Sequence, residues 1–208
     1  MSLSELTVMH LGLGVVSSFL GALPFGIVNL SVVDTTLRRN FRAGVQLSLA
    51  ASFVEVMQLG LAMYLGMTFV QELRTHIWIK AAIVLLFVGL GLLFFFRKTR
   101  EGGPRNAHLP EFVRGIILSL INPQALPFWV FMIAWLQSAH LVQFDGRLVL
   151  ILLFAAGVWL GKLLALLLFG WLSLRIASRV ELLGRLTNRV IGAILLLIGC
   201  YQGISLFF

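Results

Sequence analysis

Two residues of opposite charge, Glu55 and Lys162, lie inside long apolar stretches of the sequence. Glu55 follows Ala43, the start of its stretch, by twelve residues, or about 18 Å along a helix, which is near the centre of a bilayer. A carboxylate at that depth raises the free energy of insertion by at least about 2.5 kcal/mol. Lys162 is the one charged residue between positions 148 and 174. Charges at this depth indicate contact with a zwitterionic or charged solute, or a carboxylate, Glu55, that carries a coupling proton.

The same two charges also have a purely structural interpretation. A lysine and a glutamate that meet between two helices can fix the register of those helices without touching any solute. Buried ion pairs are weak evidence of stabilisation, because the desolvation of both charges can cancel their attraction. The sequence leaves both interpretations open.

A second group of candidate residues surrounds two apolar segments that are broken by proline. Pro24 and Gly26 interrupt the first apolar run, and Asn122-Pro123-Gln124 interrupts the fourth. Proline removes a backbone donor and distorts the preceding turn. Backbone groups left unpaired in this way are tolerated in a membrane only where protein or water satisfies them. We therefore expect both segments to line a cavity.

The polar groups at these breaks are suited to binding a small charged solute. The N-termini of broken helices attract anions, and amide side chains offer both donors and acceptors. Hydrogen bonding between helices is an equal alternative for Asn29 and Asn122. The predicted substrate site comprises Pro24, Gly26, Asn29, Glu55, Asn122, Pro123, Gln124 and Lys162.

The two breaks share a short sequence repeat. The tetrapeptide Ala22-Leu-Pro-Phe25 returns as Ala125-Leu-Pro-Phe128, 103 positions later in a chain of 208 residues. This repetition predicts a duplicated membrane unit in which the two breaks face each other. Shifting Glu55 by the same offset gives position 158, one helical turn from Lys162. The two charges thus belong to corresponding helices of the two halves.

The composition is that of an integral membrane protein. Hydrophobic residues make up 60% of the chain and charged residues 12%, against about 25% charged residues in soluble domains. The apolar runs are continuous, so helices rather than barrel strands must span the bilayer. The sequence predicts a single all-α membrane domain, 1–208, with a first repeat at 1–96, a linker at 97–111 and a second repeat at 112–208. The six predicted transmembrane helices cover residues 6–33, 43–70, 81–96, 112–139, 148–174 and 190–208.

The formal charge of +8 reports topology rather than nucleic-acid binding, because the basic residues lie between apolar runs. The first, third and fifth connections hold twelve of the 16 Lys and Arg residues: Arg38, Arg39, Arg42, Arg97, Lys98, Arg100, Arg105, Arg114, Arg175, Arg179, Arg185 and Arg189. This bias predicts a cytoplasmic location for these connections and an external one for both termini. Three spans per half is an odd number, so the halves run in opposite directions. Inverted repeats of this kind are typical of secondary transporters.

Signatures of catalysis are missing from the sequence. It contains no His-Glu-x-x-His, no G-x-S-x-G and no P-loop, each of which marks a known catalytic or phosphate-binding site. Its single cysteine, Cys200, excludes an internal disulfide and a cysteine metal cluster. We therefore predict a protein that is not an enzyme and has no cofactor or metal. The rival interpretations are a structural or assembly subunit and a membrane-embedded enzyme or electron carrier. A homodimer is one alternative for the oligomeric state.

Two further patterns indicate packing rather than chemistry. Gly157 and Gly161 have the spacing that lets membrane helices approach closely. The tryptophans are expected at lipid-facing or interfacial positions, which suit their amphipathic rings. They are Trp78, Trp129, Trp135, Trp159 and Trp171.

Several of these motifs resemble those of the LysE/RhtB family of amino-acid exporters. In that family a Gly-Pro-x-Asn box in the first span is followed by a basic loop, and here Gly26-Ile-Val-Asn29 precedes Arg38-Arg39. Glu55 is similar to an acidic residue of the family's second span. Asn122-Pro-Gln-Ala125 resembles the Asn-Pro-x-Ala motif of its fourth span, and Asn188-Arg-Val-Ile-Gly192 resembles the start of its last.

The resemblance implies a six-helix exporter in the bacterial inner membrane. It would carry amino acids or similar small metabolites and would be driven by the proton gradient. Ile27 stands where the family box has proline, and Lys162 also departs from the family pattern. The family's specificities for lysine or homoserine therefore do not carry over.

Overall fold

The computed structural model describes residues 3–24, 26–75, 81, 84–85, 88–89, 91–92, 95–96, 109–122, 124–142, 147–175, 189, 192–193, 196–197 and 200. This part of the chain is helical. Its helices are α1 (Leu3–Ala22), α2 (Ile27–Arg38), α3 (Phe41–Thr75), α4 (Glu111–Leu120), α5 (Ala125–Ser138) and α6 (Leu148–Arg175). The described residues within 81–96 and 189–200 are also helical. The rest of the predicted third and sixth spans, and most of the linker at 97–111, lie outside the described residues.

Helices α1 and α2 are separated by a short segment that contains Pro24 and Gly26. Gly26 has an extended backbone with φ −80° and ψ −179°, and its N–H donates to the Pro24 carbonyl oxygen at 2.7 Å. The chain therefore leaves α1 at Ala22 and begins a new helix at Ile27.

A second interruption separates α4 from α5, whose axes differ by 64°. Asn122 and Gln124 lie between them, whereas Pro123 is outside the described residues. Pro127 falls in the first turn of α5, where a backbone N–H has no partner within the helix. The ring is therefore compatible with a helix that begins at Ala125.

Three helical segments are long and apolar enough to cross a membrane: Glu5–Ala22, Phe41–Leu65 and Leu148–Arg175. The bent pair of α4 and α5 satisfies the same criterion when taken as one span. With these segments, the chain is a multi-pass membrane protein.

Two buried apolar cores lie along α3 and α6. The basic-end core consists of Val28, Val32, Leu47, Ala51, Leu118 and Leu166, and it lies toward the end where Arg39, Arg42 and Arg114 are found. The opposite core consists of Leu59, Ala62, Trp129, Ile133, Leu136, Val142, Phe154 and Val158. Glu55 lies between the two cores along α3, and Lys162 lies between them along α6. The apolar packing thus isolates the central charges from both ends of the molecule.

Helix α1 packs against α6 at backbone distance. A Cβ on Gly157 would meet the carbonyl oxygen of Leu11, and a Cβ on Gly161 would meet that of Val15. The small residues predicted to allow close packing therefore make the α1–α6 contact. This contact brings the C-terminal half of α1 beside the middle of α6.

Two sequence expectations are wrong. Trp129 does not face lipid: its exposed fraction is 0%, because its ring packs edge-on against Phe128 and Phe154 with centroids 5.1 and 6.2 Å away. Arg114 was counted with the third connection although it falls within the predicted fourth span, 112–139; it lies within α4, as that span predicts, and is 9% exposed. Its guanidinium is compensated there by Glu111 and Thr35.

Candidate functional site

Glu55 and Lys162 form a direct ion pair at the centre of the structure. Lys162 Nζ lies 2.6 Å from Glu55 Oε2, and both residues are buried. The second carboxylate oxygen, Oε1, accepts a hydrogen bond of 3.1 Å from Ser18 Oγ. Helices α3, α6 and α1 each contribute one of these side chains, so the carboxylate ties three helices together.

Burial has two opposing effects on the free energy of this ion pair. Attraction between opposite charges rises as the local dielectric falls, but both ions have given up their hydration. Removal of one partner would leave the other charged and buried, which costs about 3–5 kcal/mol. A ligand that carries both a positive and a negative group can therefore separate the pair by replacing both partners, whereas a proton on Glu55 would compensate the carboxylate alone.

The two helix interruptions touch each other. A Cβ on Gly26 would lie 3.1 Å from Gln124 Oε1, so the Gln124 side chain rests against the first break. The Phe128 ring covers Gly21, where an added Cβ would lie 2.5 Å from a ring carbon. The structure thus places Gly21 and Gly26, which flank the first Ala-Leu-Pro-Phe segment, against Phe128 and Gln124 at the second.

Asn29 completes the first interruption. Its Nδ2 donates to the carbonyl oxygens of Ala22 at 2.5 Å and Pro24 at 2.8 Å. The Ala22 carbonyl lies at the C-terminal end of α1, where the break removes helical partners, and the Pro24 carbonyl lies two residues beyond that end. These contacts match the structural alternative for Asn29, and its role in substrate binding stays a prediction.

The second interruption retains unused polar groups. The Gln124 N–H donates to Asn122 Oδ1 at 3.4 Å, and Gln124 Nε2 is buried without a hydrogen-bond partner in the described part of the chain. Within the same part, neither Gly26, at the start of α2, nor Gln124, at the start of α5, makes a side-chain capping bond. The two helix starts therefore direct uncapped N–H groups and partial positive charge toward the breaks.

Two contacts link the ion pair to the breaks. Ser18 lies four residues before the end of α1 at Ala22, which is about 6 Å along the helix. On the other side, Gln58 Nε2 donates to the Ser119 carbonyl oxygen at 2.9 Å, and Gln58 lies one turn from Glu55. The carboxylate and both breaks therefore belong to one connected region.

Ser18 is a site residue that the sequence did not identify. Hydroxyls in membrane helices commonly bond to a carbonyl of their own helix, and Ser48 and Ser52 do so with Gly44 and Ser48 carbonyls at 2.8 Å. Ser17 and Ser18 are adjacent, so the sequence does not indicate which of them faces α3. One weak feature of the sequence pointed to Ser18: its hydroxyl lies one turn before the end of a helix that is broken by proline.

A comparison of the sequence with protein families gives a match to the family described as LysE type translocator over residues 19–205. The matched range contains all eight predicted site residues and begins one residue after Ser18. Neither the comparison with curated proteins nor that with solved structures gives a match.

Proposed function

The chain belongs to the LysE type translocator family, and on that premise we propose that it is a secondary transporter. It exports amino acids or similar small metabolites across the bacterial inner membrane in exchange for protons. The observation that carries this proposal is the buried pair of Glu55 and Lys162, which lies between two apolar cores and beside two interrupted helices.

Reciprocal contacts support the proposed architecture of two inverted repeats. A Cβ on Gly14 of α1 would meet the Phe154 carbonyl oxygen of α6, and a Cβ on Gly115 of α4 would lie 2.6 Å from the Leu47 carbonyl oxygen of α3. A twofold axis that exchanges α1 with α4 and α3 with α6 relates these contacts. The paired positions are then Gly14 with Gly115 and Leu47 with Phe154.

A second pair of contacts has the same symmetry. A Cβ on Gly91 would lie 2.8 Å from a side-chain carbon of Leu196, and a Cβ on Gly192 would lie 2.6 Å from the Phe95 nitrogen. The offsets 192 − 91 and 196 − 95 are both 101, the same as 115 − 14. Agreement at separate helix contacts supports two related halves.

The symmetry also relates the two charges. The offset between Leu47 and Phe154 is 154 − 47 = 107, which differs from the 101 of the glycine contacts and from the 103 of the repeated tetrapeptide, so the spacing of the helices differs between the halves. Glu55 shifted by 107 is Lys162, rather than position 158 as the offset of 103 predicts. Two equivalent residues that contact each other lie at the axis that relates them. The proposed repeats therefore meet at the ion pair, with an acid from one half and a base from the other.

This arrangement accounts for exchange of a zwitterion against a proton. The ammonium group of the solute displaces Lys162 from Glu55, and its carboxylate binds Lys162 together with the uncapped starts of α2 and α5 and the Gln124 amide. A proton on Glu55 removes the charge that the ammonium group needs. Solute and proton therefore compete for one carboxylate, which is the requirement for obligatory exchange.

The same pair would also suit the rival structural function, because it fixes the register of α3 against α6 without any ligand. In that case, replacing both residues by apolar ones of similar volume would preserve function. The transporter proposal expects the opposite.

Counterflow tests the proposed function. Purified protein is reconstituted into proteoliposomes that are loaded with one unlabelled amino acid at a time, and uptake of the labelled compound is followed. We expect accumulation of at least one amino acid by the wild type and by Gln46→Ala, an exposed control on α3. Lack of accumulation for every amino acid by a folded wild type would contradict the proposal.

A further inference from the structure

A second group of buried charges lies at the basic end of the structure, apart from the proposed transport site. Glu111 is 5% exposed. Its Oε1 lies 2.5 Å from Arg39 Nη1 and its Oε2 lies 3.6 Å from Arg114 Nη1. Arg114 Nη1 also donates to Thr35 Oγ1 at 3.2 Å. A carboxylate and a guanidinium so deeply buried require a specific compensation. The opposite charges of the cluster compensate one another by proximity, although neither Glu111 oxygen nor Arg114 Nε has a hydrogen-bond partner in the described part of the chain.

The four residues join the tips of two short helices. Thr35 and Arg39 belong to the last turn and the C-cap of α2, and Glu111 and Arg114 belong to the first turn of α4. Elsewhere these two helices meet only sparingly, and each packs more extensively against α3. The ion cluster is therefore the main direct connection between α2 and α4.

Each of the two helices has one end at an interruption, and that end lies toward the transport site. Helix α2 begins after the break at Pro24 and Gly26, and α4 ends before the break at Asn122. Each can therefore change its tilt without carrying along the other half of its span. Val28 and Val32 of α2 and Leu118 of α4 form part of the basic-end core, which lies between the Glu55–Lys162 pair and this end.

The cluster is arranged so that it can open without isolating a buried charge. Glu111 and Arg114 lie three residues apart on α4, so they stay paired if α2 moves away. The side chain of Arg39 is 47% exposed and can return to water. The charges also suit the helix ends, with an acid at the start of α4 and a base at the end of α2.

We propose that Thr35, Arg39, Glu111 and Arg114 form a latch that closes the basic end of the transport path and opens when α2 separates from α4. This inference rests on the proposed transport function. The offset of 101 relates Glu111 to His10 and Arg114 to Leu13, so these positions of the other half do not repeat the charges. The latch therefore belongs to one end of the molecule.

The test measures the access of water-soluble reagent to the two apolar cores. In a Cys200→Ser background, a single cysteine is placed at Ala51, in the basic-end core, or at Ala62, in the opposite core. Both residues lie on α3 on either side of Glu55 and are buried. Labelling by a small charged methanethiosulfonate is timed in nanodiscs, where both membrane faces are accessible.

We expect Glu111→Gln to raise the labelling rate at position 51 by about tenfold, which corresponds to about 1.4 kcal/mol in the opening equilibrium, and to leave position 62 unchanged. Arg39→Gln should also raise the labelling rate at position 51. This variant keeps the Glu111–Arg114 pair, so it leaves no buried charge unpaired and is expected to fold. Asp34→Asn is the matched control, because Asp34 pairs with Arg38 within α2.

An unchanged rate at position 51 in both variants would overturn the latch, and so would an equal increase at both positions, which indicates general loosening. The measurement requires no solute. It therefore distinguishes failure of the latch from failure of amino-acid transport, which counterflow tests separately.

Discussion

Among single residues, Glu55 is the buried charge that connects three helices. Its two oxygens bind Lys162 and Ser18, which lie on different helices. A neutral side chain at this position would leave the Lys162 ammonium buried without its counter-charge. Stability and transport should therefore respond differently to single and double substitutions of the pair.

We expect Glu55→Gln to lower the free energy of unfolding by about 3–5 kcal/mol because it strands a buried ammonium group. The double variant Glu55→Gln with Lys162→Met should regain most of that loss, since neither charge remains. Thermal unfolding in detergent measures both effects. Transport by the stable double variant should be abolished, and normal transport by it would favour the register-fixing interpretation.

Ser18 provides a finer test of the carboxylate environment. Ser18→Ala removes a hydrogen bond to a charged acceptor, which contributes about 1.5–3 kcal/mol, and should reduce transport. Ser17→Ala, at a neighbouring buried hydroxyl, is the control and should retain wild-type transport. Equal effects of the two substitutions in the flux assay would remove Ser18 from the site.

Glu55 and Lys162 could be identified from the sequence as candidate site residues, but the side chains that contact them could not. The depth of Glu55 and the isolation of Lys162 were visible because a charge in an apolar run is conspicuous. The contact with Ser18 depends on the rotation of α1 against α3 and α6, which is set by the glycine contacts near Gly157 and Gly161. A pattern within one helix contains no information on that rotation.

Among the helices, the two interruptions are in contact, because α1 touches α5 at Gly21 and Phe128 and the first break touches Gln124. The repeated tetrapeptide predicted that the two breaks would face each other. The 64° bend between α4 and α5 and the burial of Arg114 could not be predicted. The count of basic residues assigned Arg114 to a connection between spans. Its burial depends on a hydrogen bond to Thr35, which is distant in the sequence and could not be identified as a partner.

The contact between the broken helices can be tested by substitutions that add a methyl group to the packed surface. Gly21→Ala would place a methyl group against the Phe128 ring and should destabilise the protein by about 1–3 kcal/mol. Gly12→Ala on the same helix meets no atom within 4 Å and should be neutral or stabilising by up to about 1 kcal/mol. The comparison is made by thermal unfolding. Identical melting temperatures for the two variants would show that the ring does not rest on Gly21.

At the scale of the whole molecule, the proposed repeats place Glu55 and Lys162 at equivalent positions. The exchange of the two residues, Glu55→Lys with Lys162→Glu, should therefore preserve the ion pair and the fold. We expect the double variant to be more stable than either single variant and to fall short of the wild type by no more than the about 1.5–3 kcal/mol of the lost Ser18 hydrogen bond, whereas either single substitution places two like charges together and should be strongly destabilising. A double variant as unstable as the single ones, measured by thermal unfolding, would argue against equivalence.

If the Glu55 carboxylate exchanges a proton for the solute, a pH gradient alone must drive transport. Proteoliposomes containing wild type or Glu55→Gln are equilibrated with a labelled amino acid that gives counterflow, at the same concentration inside and outside, and a pH gradient is imposed at zero membrane potential. We expect the wild type to move the amino acid against its concentration gradient while protons move the opposite way, and Glu55→Gln to show neither flux. Uphill transport by Glu55→Gln at the wild-type rate would show that the Glu55 carboxylate does not carry the exchanged proton.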